Sequence, residues 1–94
     1  MTPGRTNLGR TNRHETLRLA VLSGTSDATI DFEALCGLLQ YLGFEVRIRR
    51  SHHVFVHPRV PEHVVLPRHG KTVKRSYVCD VRRLLLRHSH LSPP

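Results

Sequence analysis

No apolar run in this chain approaches the roughly 20 residues that a membrane span needs. The first residues, Met1 to Asn12, are polar and glycine-containing and lack the apolar stretch of a secretory signal. A soluble, cytoplasmic protein without a membrane partner is therefore expected. Cysteine is nearly absent: Cys36 and Cys79 stand far apart, each inside an apolar pattern. A disulfide framework would need more of them at tighter spacing, and neither neighbours a second cysteine as in a zinc ribbon. Both are expected to be buried thiols acting as small hydrophobes.

Acidic residues are also scarce, seven Asp and Glu against fifteen Lys and Arg, which leaves +8 with histidines neutral. The excess is one-sided. Residues 1–46 carry four basic and five acidic side chains, a net of −1, whereas residues 47–94 carry eleven and two, a net of +9. A field of this kind concentrates polyanions and speeds their arrival. Thirteen of the fifteen bases are arginine, whose planar fork grips phosphate bidentately and stacks on bases. An arginine-rich genome with a merely solvated face would give the same composition, but the asymmetry between the halves favours a nucleic acid partner.

Ninety-four residues allow one domain with one modest core. Residues 1–12 look like a flexible arm, 13–88 the folded domain and 89–94 a C-terminal tail. Asn12 and Glu15 fit a capping box ahead of a helix from about Arg13 to Leu22, which Gly24 ends. Asp31 is a second N-cap with Ile30 and Leu35 as a staple, and Leu35, Leu38, Leu39 and Leu42 form one buried stripe up to Gly43. Phe44 to Arg49 alternates apolar and charged residues and predicts a strand with its apolar side inward. Strands over about His52 to His57 and His63 to Leu66 follow, with Pro58 and Pro61 in the turn between them. Pro67 to Lys74 is a basic loop, and Ser76 is placed to cap a last helix with Val78, Val81, Leu84 and Leu85 on its inner face.

The expected fold class is α+β: an α-β-β-β-α core with a three-stranded antiparallel sheet and an extra N-terminal helix. Double-stranded RNA-binding domains share that core, which suits an RNA backbone. One sheet face should carry the helices and the other stay free.

Gly43-Phe44, Ser51-His52-His53-Val54-Phe55, His57-Pro58 and Leu66-Pro67-Arg68-His69-Gly70 occur in an order and spacing that resembles the HicA toxins, the mRNA interferases of HicA–HicB toxin–antitoxin pairs. Members run Leu-Gly-Phe into a strand, then Gly-Ser-His with an aromatic shortly after, then a Val-Pro-x-His-Gly-like segment before the final helix. Ser26-Asp27, Ile30-Asp31-Phe32, Leu35-Cys36, Leu38-Leu39, Val78 and Val81-Arg82 also look like a subgroup of that family. The resemblance spans about residues 16–88. It implies an endoribonuclease whose catalytic histidine follows the motif Ser, which here is His52, and a HicB-type antitoxin covering the active face. The free toxin is expected to be a monomer.

RNA carries its own nucleophile in the 2′-hydroxyl, so a protein need only move protons and stabilise charge on the phosphoryl oxygens. An imidazole, with an ordinary pKa of roughly 6.5, serves either proton role near neutral pH. Preorganised cationic donors are worth roughly 3 kcal/mol each. The candidates for holding RNA are Arg49, Arg50, Ser51, Arg68, His69, Lys71 and Lys74. No cofactor or metal is called for: His52, His53 and His57 lack helical ligand spacing and have no carboxylate beside them.

His52 and His53 are adjacent on a strand and must point to opposite faces. Periodicity does not choose between them, since Val54 and Val56 share the face of His52 while Phe55 and His57 share that of His53. The resemblance implies His52, which leaves His53 as a partly buried ring bonded to backbone. His57 and His69 either bind phosphate or sit in turns. The sequence departs from the family at Arg50, where a Gly ordinarily precedes Ser-His, and at Ser76, where subgroup relatives often have Tyr; the segment before Asn12 has no counterpart. A non-catalytic RNA-binding module with the same fold is the alternative.

Overall fold

The computed structural model describes residues 12–94, so most of the expected N-terminal arm lies outside the described residues. Helix α1 spans Arg13–Ser23 and α2 Phe32–Tyr41; strands β1 Glu45–Arg49, β2 His52–His57 and β3 Val60–Pro67 follow, then helix α3 Arg75–Arg87. The strands form one antiparallel sheet in the order β1-β2-β3. This is the α-β-β-β-α core with an extra N-terminal helix that the sequence pattern predicts. No helix among the described residues is long and apolar enough to cross a membrane.

Local chemistry starts and stops α2 as expected. Asp31 accepts from the Ala34 N–H at 3.0 Å, and Gly43 leaves the helix at φ 97°. Leu35, Leu38, Leu39 and Leu42 are all fully buried. At α1 the capping box is only half formed. The Asn12 side chain accepts from the His14 N–H at 2.7 Å, but Glu15 does not reach back. Its carboxylate accepts from the Tyr41 hydroxyl at 2.9 Å, joining α1 to α2, and Tyr41 also stacks on the His14 ring. A tertiary bond has replaced a local one.

The core is a single cluster in which Phe55 at the centre of β2, with Val64 and Leu66 of β3, meets Phe32, Leu35 and Leu39 of α2 and Val78, Val81 and Leu85 of α3. Helices therefore cover one face of the sheet. A half-buried ion pair ties the middle of α3 to the end of α1 and the loop that follows it. The Arg82 guanidinium donates to Asp27 at 2.6 Å and to the Val21 carbonyl at 3.2 Å. A Cβ on Gly24 (φ 74°) would come within 3.0 Å of this guanidinium, a tight approach to a side-chain end, so this helix end needs glycine chiefly for its dihedral.

Several expectations are corrected. Strand β1 begins at Glu45, and Ile48, although on the helix side with its partner His53, is 61% exposed instead of buried, because β1 is an edge strand whose far end the helices do not reach. The β2–β3 turn is Pro58-Arg59 alone, with β3 already started at Val60. Pro61 thus lies inside a strand, where its missing N–H is tolerated because β3 is an edge with one side of its backbone unpaired. Helix α3 starts at Arg75 with Lys74 as N-cap and no side-chain cap, so Ser76 falls in the first turn. Its start is set instead by the preceding loop, where the Val73 N–H donates to the Ile30 carbonyl at 2.9 Å. Cys36 is buried, and desolvation pushes its thiol up to about 11. Cys79 is not a plain core residue: it is half-buried, with Sγ 3.2 Å from the Arg82 guanidinium.

Beyond α3 the chain folds back, burying Leu91. Glu62 of β3 receives Arg87 and His88 from the end of α3, the latter at 3.1 Å. Its own backbone N–H, Arg87 and His88 together hold the Glu62 carboxyl below the usual range. A depressed carboxyl stabilises the fold above the ordinary glutamate range and loses that contribution as pH falls through its folded-state value. Glu62→Gln should accordingly lower the urea midpoint at pH 7 and shift it far less near pH 3. Phe55→Ala should destabilise the domain by about 3–5 kcal/mol in the same assay.

Candidate active site on the open face of the sheet

Register decides which histidine sees solvent. Phe55 is fully buried beneath the helices, and a strand alternates faces with a period of two. His53 therefore points inward with Phe55, and His52 points outward with Val54 and Val56. The His53 ring meets Phe32 edge-on at 5.0 Å between centroids. It is half-buried as expected, but its Nδ1 is buried with no hydrogen-bond partner, so it is held by packing and not by the backbone. His52 is exposed.

Strand pairing places Arg49 directly across from His52 on one side and Pro67 on the other. Arg47 pairs with Val54, which in turn pairs with Val65 of β3. Arg47, Arg49, His52, Val54 and Val65 thus share the open face. The motif points to Arg49 and not to Arg47, although the alternation of β1 puts the two on one side.

Arg50 and Ser51 form the two-residue β1–β2 turn and are exposed. Arg50 has φ 57°, the left-handed region that glycine enters without penalty, which gives a physical reason for a glycine at this place in the motif. The Ser51 carbonyl accepts from the Arg68 N–H at 2.8 Å, so the basic loop is pinned to the turn that presents His52.

The Arg68 side chain, however, turns the other way. Its guanidinium lies over the Phe32 ring, 5.0 Å from the centroid, and is ion-paired with Glu33, whose hydrogen bond and charge raise the Arg68 pKa. Phe32 lies on the helix side of the sheet, so Arg68 does not join His52 on the open face. His69 is exposed beside Gly70 (φ 85°). Lys71 borders the start of α2, its carbonyl accepting from the Phe32 N–H at 2.8 Å, and Lys74 opens α3. The structure thus unites Arg49, Arg50, Ser51 and His52 and leaves Arg68, Lys71 and Lys74 along the helix-side loop.

The His57 Nδ1 accepts from the Arg59 N–H at 3.0 Å, and its ring packs on Phe44, so it closes the β2–β3 turn. Carboxylates hold Arg68, Arg82, Arg83 and Arg87, whereas Arg49, Arg50, Lys71, Lys74 and Arg75 pair with none among the described residues. Among the described residues no group of three or more His, Cys, Asp and Glu side chains is arranged to hold a metal ion.

Residues 32–88, from the start of α2 to the end of α3, match the family described as HicA toxin of bacterial toxin–antitoxin. The chain belongs to the HicA toxin family. No curated protein and no solved structure matches it. The matched span contains the whole sheet, the β1–β2 turn with His52 and the basic loop, while helix α1 lies outside it. In this HicA toxin the turn differs from the Gly-Ser-His motif by an arginine at a left-handed position. Arg50→Gly should therefore be more stable than Arg50→Ala by about 1 kcal/mol in urea unfolding, because alanine keeps the steric clash that glycine relieves.

Proposed function

We propose that this HicA toxin is a metal-independent endoribonuclease that cleaves mRNA by acid–base catalysis at His52, inhibiting translation and growth as the toxin of a type II pair in the cytoplasm. The observation that carries the proposal is the exposure of the motif histidine opposite Arg49, while its neighbour His53 is turned beneath the helices.

In the reaction, a base takes the proton of the 2′-hydroxyl and that oxygen attacks the adjacent phosphorus. The bond to the 5′-oxygen breaks, and the leaving oxygen gains a proton. The products are a 2′,3′-cyclic phosphate and a 5′-hydroxyl. His52 transfers protons in this exchange. Arg49 and Arg50, unpaired and next to it, hold the negative oxygens as charge builds up. Arg68 supports the site from behind by fixing the Ser51 carbonyl, and Lys71, Lys74 and His69 extend the cationic field along the loop.

A HicB-type antitoxin is the proposed partner, its acidic surface meeting the basic half of the chain and covering His52. The free toxin is proposed to be a monomer.

Induced wild-type protein should arrest growth and fragment messages, while His52→Ala should do neither. With purified protein the variant should lose about 10²–10⁴-fold in cleavage rate with an unchanged circular dichroism spectrum. Fragments should carry cyclic phosphate ends, and EDTA should not change the rate. Intact messages and equal growth for both strains would instead leave a non-catalytic RNA-binding module.

A further inference from the structure

The open sheet face is built differently from the rest of the surface. Its β1 rim carries Arg47 and Arg49, two residues apart on a strand and so roughly 6.7 Å apart along it. That interval is close to the repeat of an extended ribonucleotide strand. Beside this rim lies a small apolar floor, where Val54 is half-buried and Val65 is 41% exposed. His52 stands at one end of the floor, level with Arg49. The face's sole carboxylate among the described residues, Glu45, lies at the other end, 4.0 Å from Arg47 with both side chains largely exposed. Such a pair contributes little and yields readily to a phosphate.

We propose that this face is a track for single-stranded RNA, in which Arg47 and Arg49 hold successive phosphates and a base lies over the Val54–Val65 pair. The proposal rests on RNA being the substrate of the His52 site, and it adds where the strand runs. The floor is made of small valines and has none of the large aromatic or aliphatic anchors that carry a protein interface. The cationic rim fits a polyanion. Among the described residues the face carries no Phe, Tyr or Trp ring for stacking, its His52 imidazole lying at the end, so the grip is on backbone and shape, with weak base preference. An A-form duplex, with its phosphates on a curved surface, meets a single straight rim poorly.

The test uses the full chain carrying His52→Ala, so that RNA is bound but not cut. Binding of a fluorescein-labelled 12-nucleotide mixed-sequence RNA is measured over a series of salt concentrations, alongside a duplex of equal length. Arg47→Ala should weaken single-strand binding roughly three- to tenfold and reduce the slope of log K against log salt by about 0.7. Val65→Asp should weaken it at least as much. Arg83→Ala, on the outer face of α3 and paired with Asp80, should change it less than twofold. Both sheet variants alter exposed positions, and a thermal melt confirms that they are folded.

Unchanged affinity in Arg47→Ala and Val65→Asp would overturn the track, as would tighter binding of the duplex with no effect of either variant. The same variants losing self-association, or losing the protein encoded beside this gene, while keeping RNA affinity would assign the face to a protein and equally overturn it. The two proposals fail separately. RNA bound through Arg47 and Val65 but never cut by the wild type removes the nuclease and keeps the track. RNA cut with a KM indifferent to both variants removes the track and keeps the nuclease.

Discussion

Everything at the candidate site depends on where Phe55 goes. It is fully buried in the centre of the sheet, and the period-two geometry of β2 then assigns every neighbour a side. His53 is drawn inward against Phe32 and His52 is pushed outward. A slip of one residue would exchange the two histidines and put Val54 and Val56 in the core. Antiparallel pairing of Phe55 with Val46 of β1 and Val64 of β3 holds the strand against such a slip, and Phe32 is itself braced by the Arg68 guanidinium. The proposed chemistry is therefore positioned by packing several residues away from the imidazole that performs it.

The same packing divides the basic residues by task. Asp27, Glu33 and Glu62 hold Arg82, Arg68 and Arg87, and these pairs join α3 and the basic loop to the rest of the fold, while Asp80 holds Arg83 within α3. The cations left without such partners include those flanking His52. Histidines divide likewise. His14 stacks on Tyr41, His57 closes a turn, His88 joins Glu62 and His53 packs beneath the sheet. Part of a composition rich in both residue types thus serves architecture, while other members, His52, Arg49 and Arg50 among them, stay exposed.

Much of this was readable along the chain because the signals are local. The Asp31 cap, the leucine stripe, Gly24 and Gly43, the alternation of β1 and the order of elements each need only a few neighbouring residues. What failed to show in the sequence depends on partners far away. Glu15 bonds Tyr41 across two helices instead of closing its own cap, and Arg68 turns to Glu33, 35 residues away. Ser76 yields the helix start to a loop anchored at Ile30. Which of His52 and His53 faces solvent is undecidable from alternation alone, since both of their faces carry apolar residues; the inward turn of His53 rests on Phe32, which no local pattern links to β2. Arg47 is a different case: the alternation of β1 alone puts it on the side of Arg49.

The central claim is that the imidazole of His52, and not that of His53, meets the phosphodiester. It can be read directly from the side-chain resonances of the histidines in a ¹⁵N-labelled protein, as an uncleavable RNA with its 2′-hydroxyls methylated is added. The account predicts that the His52 ring signals move with saturation while those of His53 stay in place. Movement of His53 with a silent His52 would contradict it.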